Sequence, residues 1–308
     1  MTFARALSGR DRFLGLGESE LPLCNTVDGS RHKIAVLAFP LERTVSYGGG
    51  CADGPRAILE ASKQVELLDH EYQCEAHLSF ALDTHEIDVG GRIANVIDQA
   101  ESHIAQVINR GCLPLVLGGE HTVSVAAVRA ARSAFPEIAI VHFDAHLDLR
   151  DEYEGEAICH ATAIRRCIDG TDTPLFSFGI RNESIEESEY RRTNPNVTVY
   201  SAKDRGEWRL DEFQQALGDR PVYLTIDLDC FDSSLMPATG TPEPGGLFWD
   251  DVIRVLETVA KHTTVVGADI VELAPIQGMH APDFLASKLA YKVMTLSSLG
   301  MSPTSRSA

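Results

Sequence analysis

Basic residues are scarce. Lys and Arg number 27 against 45 Asp and Glu in 308 residues, a net charge of −18. A surface this anionic repels phosphate backbones, which argues against nucleic acid as a partner and leaves cationic ligands or simple solubility. Cysteine pattern is missing as well: seven thiols lie scattered, odd in number and none in a CxxC pair. A chain long enough to bury a sizeable core has no need of staples, so the thiols read as reduced, in a cytoplasmic compartment. Long apolar runs are lacking too. No stretch approaches 18 consecutive apolar residues, and the opening MTFARALSGRDRF has no apolar signal-peptide core, so neither membrane spanning nor secretion is expected. Repeats, low-complexity blocks and linkers do not occur. The expectation is one domain over 1–308, with a polar arm at about 1–30 and a loose tail, MSPTSRSA, at about 301–308.

Within these limits, two periodicities alternate. KIAVLAF (33–39), CLPLVLGG (112–119), EIAIVHFD (137–144), PLFSFGI (174–180), VYLTIDLD (222–229) and TTVVGADIVEL (263–273) are short, β-rich and nearly uncharged, as strands buried on both faces must be. Between them Ile93, Val96, Ile97, Ala100, Ile104, Val107 and Ile108 recur at helical spacing and stop at Gly111. Phe248, Val252, Val255, Leu256 and Val259 do the same. The glycine-rich SYGGGCADG lacks GK[ST] and so is no phosphate loop; it reads as a turn feeding a helix that opens at Pro55. The alternation predicts an α/β fold, one parallel sheet with helices on both faces, whose ligands bind beyond the carboxyl ends of the strands.

The chemistry sits at those ends. One run finishes in GGEHTVS with His121, another in HFDAHLDLR with Asp144, His146 and Asp148, a third with Asp227 and Asp229, and a fourth with Asp269 and Glu272. In extended chain, residues two apart share a face, so the acids and imidazoles would converge. Crowded carboxylates are costly to desolvate without a cation. Six candidate ligands exceed the needs of one ion and match two divalent cations. Oxygen-rich sites with one imidazole per ion favour Mn²⁺ over thiolate-selected zinc.

Together GGEHTVS, HFDAHLDLR, LTIDLDCFD, ATGTPEPGG (238–246) and DIVELAP (269–275), in this order, resemble the ureohydrolase family of arginases and agmatinases. PLERTVSYGGGCADGPRAILEAS looks like its agmatinase side, which includes enzymes of aminopropylated agmatine. The resemblance implies a three-layer α/β/α fold around an eight-stranded, mostly parallel sheet, two Mn²⁺ per subunit, and a homo-oligomer, trimer or hexamer. It implies one metal on His121, Asp144, Asp148 and Asp227, and a second on His146, Asp144, Asp227 and Asp229. Glu272 would clamp the substrate guanidinium, and His160 would shuttle protons. Glu120 stands where the family more often has Asp, and Thr225 replaces a usual Ser.

The chemistry needs these types. A guanidinium carbon resists water, and two cations can bring the pKa of water down from 15.7 towards roughly 7. A carboxylate aims the planar guanidinium through paired hydrogen bonds. A departing amine must be given a proton, a task suited to imidazole. For the substrate, Asp151, Glu152, Glu154 and Glu156 are expected at the cavity mouth, where they would attract a small cationic guanidine and disfavour a carboxylate. Hydrolysis of agmatine or an aminopropylated relative to urea and a polyamine follows. Guanidinobutyrase, arginase and formimidoylglutamase activities are the alternatives within the family, and a non-catalytic metal-bound scaffold is the alternative outside it. A two-metal phosphoesterase would want basic groups that this rim lacks.

Overall fold

The computed structural model describes residues 3–27 and 31–300; the tail expected at 301–308 and five residues of the arm lie outside them. Eleven strands form among the described residues. They are β1 (Ala4–Ala6), β2 (His32–Phe39), β3 (Leu68–Asp69), β4 (Cys74–Glu75), β5 (Phe80–Ile87) and β6 (Leu113–Gly118), then β7 (Ala139–Phe143), β8 (Leu175–Ile180), β9 (Val197–Ser201), β10 (Val222–Asp227) and β11 (Val265–Val271). β3 and β4 pair in a small hairpin, and the other nine build one sheet in the order β1-β5-β2-β6-β11-β10-β7-β8-β9. Every pairing within this sheet is parallel except that of β1 with β5. The eight parallel strands match the expected count. The ninth, antiparallel one comes from the arm.

Helices α1 (Gly54–Ser62), α2 (Ile93–Asn109), α3 (Val123–Ala134), α4 (Ala163–Ile168), α5 (Ile185–Thr193), α6 (Leu210–Leu217), α7 (Trp249–His262) and α8 (His280–Gly300) cover the sheet. Strand alternation sorts them into two layers. On β2, Ile34, Val36 and Ala38 pack into a core with Ile58 of α1, Phe213 of α6, Val255 of α7 and Leu289 of α8. Ala35, Leu37 and Phe39 face the other core, with Ile97 of α2, Val128 of α3 and Ile164 of α4. Two buried faces are why these strands read as unbroken apolar runs.

The arm departs from expectation. Phe13, Leu14 and Leu21 are buried in the first core, and the Arg12 guanidinium, itself buried, donates to Leu21 O at 3.0 Å and to Leu82 O. Its polar composition hid a few apolar anchors that are enough to seat it against the sheet.

Candidate active site

Four neighbouring strands, β6, β11, β10 and β7, occupy the middle of the sheet, and their carboxyl ends deliver the cluster. After β6 the chain runs hard against the segment after β2: Gly119 N donates to Phe39 O and Glu120 N to Leu41 O. A Cβ on Gly119 would lie 2.1 Å from Leu41 O, so only glycine permits this approach. It seats Glu120 and His121 at the sheet rim.

The convergence expected from extended geometry is real, but its cause differs. β7 ends at Phe143, before any of the acids, and Asp148 adopts a left-handed backbone, φ +51. Asp229 lies in a 3-10 turn (Leu228–Cys230) whose N–H is capped by Asp227 Oδ1 at 2.9 Å. Turns, not one strand face, bring the groups together. Glu272, one residue past β11, is also left-handed, φ +67. Such backbones cost of order 1–3 kcal/mol in non-glycine residues and persist only where surroundings impose them.

His121 Nδ1 faces Asp148 Oδ2 at 3.0 Å, Asp144 Oδ2 at 3.3 Å and Asp227 Oδ2 at 3.4 Å. His146 Nδ1 faces Asp229 Oδ2 at 3.0 Å and Asp144 Oδ1 at 3.5 Å. Asp144 therefore turns one oxygen to each imidazole, as a bridging carboxylate does. Asp227 turns only Oδ2 to His121, its Oδ1 being held by the Asp229 N–H.

Burial alone would push His121 down, but its contacts with Asp144, Asp148 and Asp227 outweigh that and hold it well above the ordinary imidazole value. For His146 the same contest, with Asp229 and Asp144 winning, ends at about 12. Asp144 is held well below the usual carboxylate range, its three histidine partners overcoming burial. Asp227 is pushed well above that range by burial and by Asp229 and Asp144, and Asp229 rises through burial and Asp144. Four carboxylates share three imidazoles here, His142 being the third, and the surplus anion must be met by cations.

The donor set supplies a sharper test. Thr225 Oγ1 donates to Asp269 Oδ1 at 2.7 Å, so its oxygen receives the Nε2–H of His121 at 2.9 Å. Tyr223 OH fixes the other oxygen of Asp269 at 2.8 Å. In the neutral form that a metal ligand needs, the imidazole aims its Nδ1 lone pair at three carboxylate oxygens; without a cation only a second proton on the ring can meet them, which is why its value is held high. Lone pair facing lone pairs is repulsive; a cation between them removes the conflict. The residues fit a metal. Thr225 makes this contact in place of the expected Ser.

Glu272 Oε1 accepts the His121 N–H at 2.6 Å, and Oε2 has no hydrogen-bond partner among the described residues. Burial lifts its carboxyl to about 8 against the opposing pull of the His121 N–H. Glu272, His160, Asp148, Asp227, Asp229 and His146 line one cavity of about 250 Å³. His160, in a 3-10 turn (His160–Thr162), packs edge-on to Tyr153 with ring centroids 5.8 Å apart. All eight residues singled out in the sequence thus meet at one rim, although His160 belongs to the cavity wall and not to the cluster.

The acidic loop is a correction. Tyr153 and Arg150 line the cavity, whereas Asp151, Glu152, Glu154 and Glu156 do not; Asp151 is spent on an ion pair with Arg166. Beyond the cluster and Glu272, the acids on the wall are Glu183 and Glu187. Glu183 takes two hydrogen bonds from Arg191, at 2.6 and 2.8 Å. Glu187 accepts from Leu149 N at 3.0 Å and Ser184 N at 2.8 Å, with Arg150 Nε 3.8 Å away. Away from the cluster the wall is charge-balanced. Alternation places an acid on a face, but it cannot say which arginine reaches it first.

Sequence reasoning also passed over His142, buried between Asp144 Oδ2 at 2.8 Å and Ser177 Oγ at 3.1 Å. The two-residue step that marks Asp144 and His146 begins at His142, so the signal was there. Cys230 is buried in the first core.

The arginase family model matches residues 32–296. The N(1)-aminopropylagmatine ureohydrolase of a Synechocystis species is 34% identical over 276 residues, covering 85% of this chain and 88% of the relative. The agmatinase of Bacillus subtilis is 36% identical over 250 residues, 78% and 83% of the two chains. Among solved structures, the agmatine ureohydrolase of Thermoplasma volcanium superposes with a TM-score of 0.76 at 31% identity, over 88% of this chain and 92% of that one. With the fold, the rim geometry and these likenesses in agreement, the chain belongs to the arginase family.

Proposed function

We propose that this chain hydrolyses the guanidinium group of agmatine, or of agmatine carrying an aminopropyl group, to urea and the corresponding polyamine. The observation that carries the reading is the Asp144 carboxylate shared between two imidazoles, with Glu272 beside it on the cavity wall. The substrate class follows the agmatinases and aminopropylagmatine ureohydrolases to which the chain is similar.

His121, Asp144, Asp148 and Asp227 would hold one divalent cation and His146, Asp144, Asp227 and Asp229 another, manganese being the ion best matched to these donors. When bound, the pair supplies water that is deprotonated near neutral pH. Glu272 offers Oε2 to the planar guanidinium while Oε1 stays on the His121 N–H, which fixes the carboxylate and aims the carbon at the cluster. Burial raises the Glu272 carboxyl, and the arriving cation favours its ionised form. His160 carries a proton to the nitrogen whose bond to the central carbon breaks, so that it departs as a neutral amine. Trimeric or hexameric assembly belongs to the same reading.

The test is urea release by the manganese-loaded chain from agmatine, aminopropylagmatine, arginine and guanidinobutyrate. Agmatine or its aminopropyl derivative should give the highest kcat/KM; a tenfold preference for arginine overturns the substrate assignment. Two bound metals without urea from any guanidine overturn the activity.

A further inference from the structure

The proton carried by His160 raises a question of position: which ring nitrogen is free to exchange it? Thr44, on the loop after β2, touches His160 twice. Its Oγ1 accepts the His160 backbone N–H at 3.1 Å and lies 3.2 Å from Nδ1. It also donates to Glu120 Oε1 at 3.0 Å. Glu120 is fully buried, and its oxygens receive further donors: Thr122 Oγ1 at 2.7 Å, Thr44 N at 2.7 Å and Arg43 N at 2.5 Å. A hydroxyl has a single proton to give.

From this geometry we infer that Thr44 is a positioning residue, held by Glu120 so that His160 stays in the Nδ1–H tautomer with Nε2 as its exchanging atom. The carboxylate outcompetes a neutral imidazole for the Thr44 proton, because hydrogen bonds to an ionised acceptor are roughly twice as strong. The Thr44 oxygen then has only lone pairs to offer the ring. Nδ1 must bring the proton, and Nε2 is left with its lone pair on a ring that lines the cavity. This orients a base through the hydrogen bond made by its other nitrogen. Thr44 does the same for the backbone, since the N–H it accepts opens the 3-10 turn bearing His160. The inference rests on the reading of His160 as the proton carrier, and it assigns to the PLERT segment a role in the chemistry.

The test compares Thr44→Val and Thr44→Ser with the parent as manganese-loaded holoenzymes, using agmatine as substrate, and records the ¹⁵N shifts of the His160 ring. Thr44→Val should lower kcat about tenfold, the worth of one well-placed hydrogen bond, while KM stays within twofold. Thr44→Ser should restore kcat. In the parent the ring should be protonated on Nδ1, and in Thr44→Val it should become a mixture of tautomers. The ring spectrum needs no turnover, so it decides the tautomer for any substrate, and melting temperatures exclude simple unfolding. A parent ring protonated on Nε2, or a Thr44→Val enzyme with unchanged kcat and tautomer, overturns the inference. His160→Asn separates the two ideas. If it is inactive while Thr44→Val is normal, only the Thr44 role fails; if it retains full kcat, the reading of His160 as proton carrier fails with it.

Discussion

The two halves of the cluster are built differently. His121 is 1% exposed, and its ring is fixed from behind by Thr225, Asp269 and Tyr223. The His146 side chain is 27% exposed and lines the cavity; beyond the cluster its nearest anion is Glu243, 3.9 Å from Nε2. One half is a closed socket with its tautomer set by a hydrogen-bonded chain; the other opens towards solvent. The lesson concerns hold. A cation in the His121 half would be met by a buried imidazole whose orientation is fixed, while one in the His146 half would be met by an imidazole that lies partly in the open cavity.

The largest effect should come from destroying what the halves share. Asp144→Asn removes the charge that faces both imidazoles, and losing several kcal/mol of metal-dependent stabilisation means urea release falls by more than about 10³-fold, at ~1.36 kcal/mol per decade. Steady-state urea assays check it, with metal content by mass spectrometry. Next, the asymmetry itself can be broken: His146→Ala should leave about one firmly bound metal per chain, whereas His121→Ala should leave the remaining ion easily stripped by a mild chelator. Equal retention in both variants would mean that the halves do not differ in hold. A smaller effect sharpens the role of the hidden network. Thr225→Val frees the His121 tautomer and should weaken metal affinity about 10- to 100-fold, with Thr225→Ser near the parent; competition with a fluorescent chelator measures both.

The smallest effect is a control far from either half. His103 on α2 lies beside His85 and Phe3 at the arm's edge of the sheet. Burial, then His85 and Arg110, push it down to about 4. Its folded value lies below the ordinary 6.5, so the unfolded chain binds the proton more readily. The stability it contributes is complete above about pH 6.5 and is lost as pH falls through 4. Melting temperature should drop between pH 7 and 5, and His103→Gln should flatten that slope without altering metal content at pH 7.

How far the sequence could be read depended on what each segment buries. The six strands recognised in advance are those with long apolar runs. β5, FALDTHEI, and β9, VTVYS, escaped because each lies near an edge of the sheet and mixes polar with apolar residues. β1 escaped because three residues carry no period. The ligands were legible because six of them cluster in short motifs at strand ends. Their supports were not: Thr225 and Asp269 lie on neighbouring strands, paired in register, and Glu120 meets Thr44 across 76 positions. Contacts of that kind are set by strand order, which residue types do not encode. The acidic loop misled for the converse reason, since composition announces charge and hides its partner.

Two of the carboxylates at the rim, Asp148 and Glu272, stand in left-handed backbones. Substitution is therefore constrained there twice over, once by the oxygens and once by the main chain. Aspartate has a neutral near-twin, asparagine, that visits this conformation readily; glutamate has none so tolerant. Engineers redesigning this rim can therefore edit position 148 for charge while sparing its loop, but an exchange at 272 will disturb chemistry and chain path together.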